Sequence, residues 1–204
     1  KKLGFKVFDV IDGSKAEMGK AIEQMQAQLK GQQAVAMLYY AGHGLQLDWH
    51  NYMVPVDAKL NQAADVPAQT VDIESVLSVF KDARTRMNIL VLDACRDNPF
   101  IKTGSRGFSR GLAPMNVADG TLIAYSTKDG STAEDGDGLK NSPFTSALLE
   151  HIDEPEDISV ILRKVRSRVM KTTAGRQQPW EYGSLNEGAV ILAKLQSTDR
   201  TPES

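Results

Sequence analysis

Residues 34–44, AVAMLYYAGHG, are the most informative about the fold, because an almost continuous apolar run ends abruptly in a Gly-His-Gly turn. A second run, MNILVLDACR at residues 87–96, has the same form and ends in Asp-Ala-Cys-Arg. Continuous apolar runs of this length are typical of strands that are covered on both faces. Both stretches are therefore predicted to be central strands of a sheet, each with a reactive side chain at its carboxyl end.

Segments with helical periodicity surround these two strands. Ser14 to Glu17 has the form of a capping box, and apolar residues follow at helical spacing as far as Gly31. Further helices are predicted over residues 71–84, 142–151 and 158–170, a two-stranded excursion over residues 45–56, and further strands over residues 5–11, 121–127 and 188–195. This alternation predicts an α/β fold with a mainly parallel central sheet between helices.

The composition excludes several classes of protein. The 204 residues are 41% hydrophobic and 25% charged, with a net charge of -2, so the basic excess of a nucleic-acid binder is absent. No apolar run approaches the ~20 residues that a membrane-spanning helix needs. One cysteine is present, so no internal disulfide can form. We expect a cytoplasmic monomer with one domain over residues 1–204, of which residues 196–204 form a disordered tail.

The ends of the two central strands bring together His43 and Cys95, which are 52 positions apart in the sequence. Ligands of such sheets bind at the carboxyl ends of the strands. An imidazole beside a thiol stabilises the nucleophilic thiolate and can later protonate a leaving amine. The backbone N–H groups of Gly44 and Cys95 are candidates for an oxyanion hole. This arrangement predicts a cysteine nucleophile with a histidine acid–base partner.

These residues resemble the caspase-like cysteine peptidases, in particular their metacaspase and bacterial orthocaspase branches. Four stretches carry the resemblance in the family's order, at residues 40–44, 93–96, 124–127 and 178–180. The resemblance implies a caspase-like three-layer sandwich and a thiol endopeptidase. It also implies that His43 and Cys95 are the catalytic dyad, with Gly44 and Cys95 as the oxyanion donors.

The resemblance further implies where a polypeptide substrate binds. Basic-specific members of the family have an acidic residue at the position of Asp93, which holds an Arg or Lys at P1, the residue before the cleaved bond. Tyr125 and Ser126 would pair with the substrate backbone as an added strand. Asp135 lies in an acidic loop that would repel an acidic P1 residue. We therefore expect cleavage after Arg or Lys.

Other segments suggest regulation of such an enzyme. Lys102, Arg106 and Arg110 lie among Gly and Ser in a predicted loop after Cys95 and are candidate sites of self-cleavage. The pair of carboxylates at residues 135 and 137 could contribute to a calcium site, whereas no other cofactor is expected. His50, close to Asp48, has no other ligand nearby in the sequence and is interpreted as an exposed loop residue.

The sequence departs from the family pattern at two points, and two alternative functions stay open. Ala41 stands where metacaspases usually have a Ser that lines the pocket for the P1 side chain. The family's first strand and helix would precede Lys1, so we expect the domain to associate with its own further N-terminal segment. One alternative function is a catalytically silent interaction module on the same fold. The other is a clostripain-like peptidase of the same clan.

Overall fold

The computed structural model describes residues 2–95, 112, 113, 115, 117, 119–128, 140–185 and 188–193, with the backbone alone described at Cys95 and Ser184. The described strands are β1 (Val35–Leu47), β2 (His50–Met53), β3 (Val71–Asp72), β4 (Met87–Cys95), β5 (Thr121–Tyr125) and β6 (Trp180–Ser184). The described helices are α1 (Lys15–Leu29), α2 (Asp65–Gln69), α3 (Ile73–Ala83), α4 (Pro143–His151) and α5 (Ile158–Thr172).

The six described strands form one sheet in the order β3-β2-β1-β4-β5-β6. β1, β4 and β5 are parallel and form its centre, while β2, β3 and β6 add antiparallel pairs at the two sides. The parallel centre places the carboxyl ends of β1 and β4 at one edge of the sheet. The predicted α/β class is therefore confirmed.

Two apolar cores cover opposite faces of the sheet. Along β4, Leu90 and Leu92 face the core formed with α1 and α3, whereas Ile89 and Val91 face the core formed with α4 and α5. Side-chain alternation along a strand produces this division. The four side chains are 2% exposed or less. The continuous apolar run of β4 thus reflects burial on both faces, as predicted.

The capping box predicted for the first helix is present. The side chain of Ser14 accepts the N–H of Glu17, and the Glu17 carboxylate accepts the N–H of Ser14 at 2.8 Å. These two bonds satisfy N–H groups that have no partner within the helix. The local sequence alone therefore fixes where α1 begins.

The strand predicted over residues 5–11 is wrong. Residues 5–10 run without regular structure and pair with no strand among the described residues. Val7, Val10 and Ile11 are 42%, 38% and 83% exposed. A β-rich composition produces a strand only where another backbone is available for pairing, and the described sheet offers none to this segment.

The strand predicted over residues 188–195 is also wrong for its described part, residues 188–193. Val190 and Leu192 are buried, so the apolar pattern reflects core packing. The N–H of Val190 donates to the side chain of Asp157 at 2.6 Å, and its C=O accepts the N–H of Ile158 at 2.8 Å. The backbone of Val190 therefore pairs with the start of α5. The antiparallel strand beside β5 is β6, which begins at Trp180.

Candidate active site

The register of the two central strands places His43 opposite Cys95. The pairing of β1 with β4 runs without a break from Val35 and Met87 to these two residues, whose Cα atoms are partners. Neighbouring strands of a sheet lie about 4.8 Å apart. The two residues are 52 positions apart in the sequence, yet they lie on adjacent strands, at the edge of the sheet where we expect ligands to bind.

The backbone of His43 is fixed by two hydrogen bonds to its carbonyl oxygen. The Tyr40 hydroxyl donates to it at 2.6 Å, and the N–H of Val54 donates at 3.0 Å. Burial raises the pKa of Tyr40 to about 12. This hydroxyl therefore stays protonated over the physiological pH range and can donate to the His43 carbonyl throughout it. His43 itself is exposed.

Gly44 lies where β1, β4 and residue 112 approach one another. A Cβ built on Gly44 would lie 3.0 Å from the Cβ of Ala94 and 3.2 Å from Cδ2 of Leu112. The neighbouring residue Ala113 is held by the buried side chain of Asn51, which accepts its N–H at 2.7 Å and donates to its C=O at 2.8 Å. The glycine thus permits close packing directly beside His43. Its role as an oxyanion donor stays a prediction.

Gly44→Ala is expected to destabilise the domain by about 1–3 kcal/mol, the usual cost of overpacking a core. Gly19 offers a matched control, because it lies inside α1 and a Cβ there would meet nothing within 4 Å. Gly19→Ala should stabilise by about 0.5–1 kcal/mol, since alanine is the better helix former. Urea unfolding of both variants measures the two effects. Equal stability of Gly44→Ala and the parent would contradict the packing role.

Asp93 lies on β4 and anchors the first turn of α4. Its Oδ2 atom accepts hydrogen bonds from the hydroxyls of Ser142 and Thr145, the latter at 2.5 Å. Ser142 is also the N-cap of α4, where it accepts the N–H of Thr145 at 2.9 Å. A helix N-terminus carries partial positive charge, which favours an ionised carboxylate there. Asp93 is 7% exposed and is therefore a largely buried acidic group.

An open pocket of about 210 Å³ lies against this carboxylate. Its walls come from β1, β4 and the start of α4, and they comprise Tyr39, Ala41, Gly42, Asp93, Lys140, Asn141, Ser142 and Thr145. The hydroxyls of Tyr39 and Thr145 are 2.6 Å apart and hydrogen-bonded. Burial raises the pKa of Tyr39, and the nearby Asp93 charge adds to this effect. The pocket thus presents a carboxylate, an aromatic wall and hydroxyl groups beside the paired strand ends.

A scan with family models matches the model described as "Caspase domain" to residues 1–189. The chain belongs to the caspase domain family. The solved structure titled "structure of pro-sf-caspase-1" superposes with a TM-score of 0.64 at 18% identity, over 96% of this chain and 78% of that chain. The caspase-like fold expected from the four sequence stretches is confirmed.

Two curated relatives of this caspase domain are animal proteins. It is 29% identical over 210 residues to human mucosa-associated lymphoid tissue lymphoma translocation protein 1 and 28% identical to the mouse homolog. The match covers all of this chain and 24% of each relative, so the chain spans about a quarter of their length. The metacaspase or bacterial branch stays a prediction.

Tyr125 and Ser126, predicted to pair with a substrate backbone, are buried in this caspase domain. Each is 1% exposed. The N–H of Ser126 donates to the carbonyl of Leu92 at 2.9 Å, and its C=O accepts from the side chain of Gln177 at 2.8 Å. The backbone groups predicted to pair with an added strand are therefore already engaged. The geometry argues against this part of the substrate prediction.

Several predicted site residues lie outside the described part of the caspase domain: Asp135, its calcium partner Asp137, and the self-cleavage candidates Lys102, Arg106 and Arg110. Within the described part, no helix has the length and apolarity to cross a membrane. His50, interpreted as an exposed loop residue, is the first residue of β2 and lies beside Asp72 and Glu74. The loop interpretation is wrong, because His50 belongs to a strand, although its side chain is 46% exposed.

The sequence did not reveal the partners of Asp93. Ser142 and Thr145 are 49 and 52 positions away from it, and nothing local to Asp93 points to them. A usable signal was present at Ser142-Pro143, which was predicted to open a helix. The helix follows β5, which is parallel to β4, so it begins near the carboxyl edge of the sheet, where its N-cap hydroxyl can meet the residues that end β4.

Proposed function

We propose that this caspase domain is a cysteine endopeptidase that cleaves polypeptides after Arg or Lys. Cys95 is the nucleophile, and His43 takes up the thiol proton and returns it to the leaving amine. Attack of the thiolate on the carbonyl carbon breaks the peptide bond and leaves an acyl-enzyme, which water then hydrolyses. The N–H groups of Gly44 and Cys95 are the proposed donors to the oxyanion.

The single observation that carries this proposal is the register of β1 against β4. His43 and Cys95 are the last pair in the parallel pairing of β1 with β4, two central strands of the sheet. This register supports the proposal because an imidazole and a thiol on adjacent strands are the pair of groups that cysteine-based nucleophilic catalysis uses.

The acidic pocket supports the proposed preference for a basic P1 residue. Asp93 lies two residues before Cys95 and presents a buried carboxylate that accepts hydrogen bonds from the hydroxyls of Ser142 and Thr145. A guanidinium or ammonium group in the pocket would pair with this charge under weak screening by water. Lys140 also lines the pocket, but its side chain is exposed, so water screens its charge more strongly than that of Asp93.

The test is turnover of fluorogenic peptides that differ only at P1. We expect Arg and Lys peptides to be cleaved at least ~100-fold better than the Asp peptide, because an acidic side chain would bring a second negative charge close to Asp93. Release of the fluorophore gives kcat/KM for each peptide. A preference for Asp would contradict the proposed specificity, and no turnover of any peptide would contradict the proposed activity.

Self-cleavage between residues 102 and 110 is a further expected result. Lys102, Arg106 and Arg110 lie among small residues in the segment that follows Cys95, and a site tethered to its own enzyme has a high effective concentration. Sequencing of new amino termini after incubation locates the cleaved bonds. Replacing all three basic residues with Gln should remove these fragments. Fragments that form equally in Cys95→Ala would indicate a contaminating protease.

A further inference from the structure

Three side chains that commonly bind metals meet at the β2–β3 side of the sheet, away from the Asp93 pocket. His50 begins β2, Asp72 ends β3 and caps α3, and Glu74 lies in the first turn of α3. One ligand atom from each residue lies within 4.8 Å of the others. Antiparallel pairing of β2 with β3 brings these two distant parts of the chain together.

The two distances from His50 to the carboxylates match those between ligands of one small ion. Nδ1 of His50 lies 3.2 Å from Oδ2 of Asp72 and 3.3 Å from Oε2 of Glu74. Ligand atoms bound to a tetrahedral zinc ion at about 2.0–2.1 Å stand about 3.3 Å from one another. A proton on Nδ1, by contrast, can point directly at only one of the two carboxylates. A shared cation therefore satisfies all three groups at once.

Asp72 can bind such an ion without losing its structural role, and all three side chains are reached by water. Oδ1 of Asp72 accepts the N–H of Glu74 at 2.9 Å as the N-cap of α3, while Oδ2 is the atom near His50. The side chains of His50, Asp72 and Glu74 are 46%, 30% and 45% exposed. Water can therefore reach the cluster and supply a fourth ligand.

The geometry points to a binding site for a divalent transition-metal ion, formed by His50, Asp72 and Glu74 and best suited to zinc. One imidazole with two carboxylates and water is a ligand set that zinc accepts in tetrahedral geometry. Calcium takes six to eight oxygen ligands, which this cluster does not provide. A bound ion would fasten the hairpin of β1 and β2, which carries His43, to the start of α3. Metal binding by these three residues does not require that the domain be an active peptidase.

Metal binding is best tested in a His43→Ala/Cys95→Ala background, because the thiol and imidazole of the candidate active site can themselves bind zinc. Cobalt(II) is the optical probe. One equivalent is expected to give visible ligand-field absorption of tetrahedral intensity, and one equivalent of zinc should abolish it. Calcium at the same concentration should leave the cobalt spectrum unchanged. Displacement of cobalt by calcium as readily as by zinc would overturn the proposal.

Two variants assign the site to its residues. In that background, His50→Ala and Asp72→Asn should each weaken zinc binding by roughly 10- to 100-fold or more, measured by calorimetry. Asn is as good an N-cap as Asp, so Asp72→Asn keeps α3 intact and decides the question if His50→Ala does not fold. Zinc binding that stays as tight in Asp72→Asn as in the background protein would overturn the proposal.

His151→Ala is the matched control for loss of a histidine. Nδ1 of His151 lies 2.5 Å from Oε1 of Glu154, and the Nζ atom of Lys164 lies 2.6 Å from the other oxygen of that carboxylate. The charge of this carboxylate is thus already paired with a cation. We expect His151→Ala to bind zinc as the background protein does. A loss as large as that of His50→Ala would show that zinc binds at scattered histidines and would overturn the proposal.

Discussion

Cys95→Ala is expected to reduce peptide cleavage by roughly 10⁴-fold or more, the scale seen when the nucleophile of a catalytic unit is removed. The physical reason is that no other thiol exists in the 204 residues to replace it. Alanine is close to cysteine in size, so the unfolding transition should stay cooperative and its midpoint nearly unchanged. Kinetics with an Arg-P1 peptide and urea unfolding together measure the two expectations.

His43→Ala tests the same unit from the other strand. Loss of the acid–base group should cost roughly 10²–10⁴-fold in kcat/KM, and the double variant should be little worse than Cys95→Ala because the two residues act together. Alkylation of Cys95 by iodoacetamide should also slow in His43→Ala, since the imidazole no longer stabilises the thiolate. Substantial turnover by either single variant would refute the dyad.

The pairing of His43 with Cys95 could be predicted from sequence because both residues follow long apolar runs that indicate strands. The apolar runs at residues 34–40 and 87–92 stand out in the sequence, and parallel pairing then places their carboxyl ends together. Residues 87–92 are buried on both faces except at Asn88, whereas only Ala36 is buried in the first run and Tyr39 is 44% exposed. The final register of His43 against Cys95 follows from the length of the two runs. The family resemblance added the prediction that these two residues catalyse peptide cleavage.

The parts that could not be predicted depend on contacts between distant segments. The buried run around Val190 has the composition of a strand, but its backbone pairs with Asp157 and Ile158 at the start of α5. Apolar periodicity reports burial and does not identify the hydrogen-bond partner. His50 likewise gains its two carboxylate neighbours only through the pairing of β2 with β3.

Asp93→Asn is expected to erase most of the preference for a basic P1 residue. The change keeps the size of the side chain and an oxygen that can accept the Ser142 or Thr145 hydroxyl, but it removes the negative charge. Breaking a buried, hydrogen-bonded charge pair costs about 2–5 kcal/mol, so kcat/KM for Arg and Lys peptides should fall by ~30-fold or more, at 1.36 kcal/mol per factor of ten. The Gln-P1 peptide, which carries no charge, should change little.

Two measurements separate this loss of specificity from general damage to the site. Asp82→Asn removes the same charge from an exposed position on α3, and it should leave the ratio of Arg to Gln cleavage unchanged. Alkylation of Cys95 should be no slower in Asp93→Asn than in the parent, because removal of a nearby negative charge favours the thiolate. If Asp93→Asn cleaves the Arg, Lys and Gln peptides with the parent's ratios, the carboxylate serves only to anchor α4, and basic specificity has another origin.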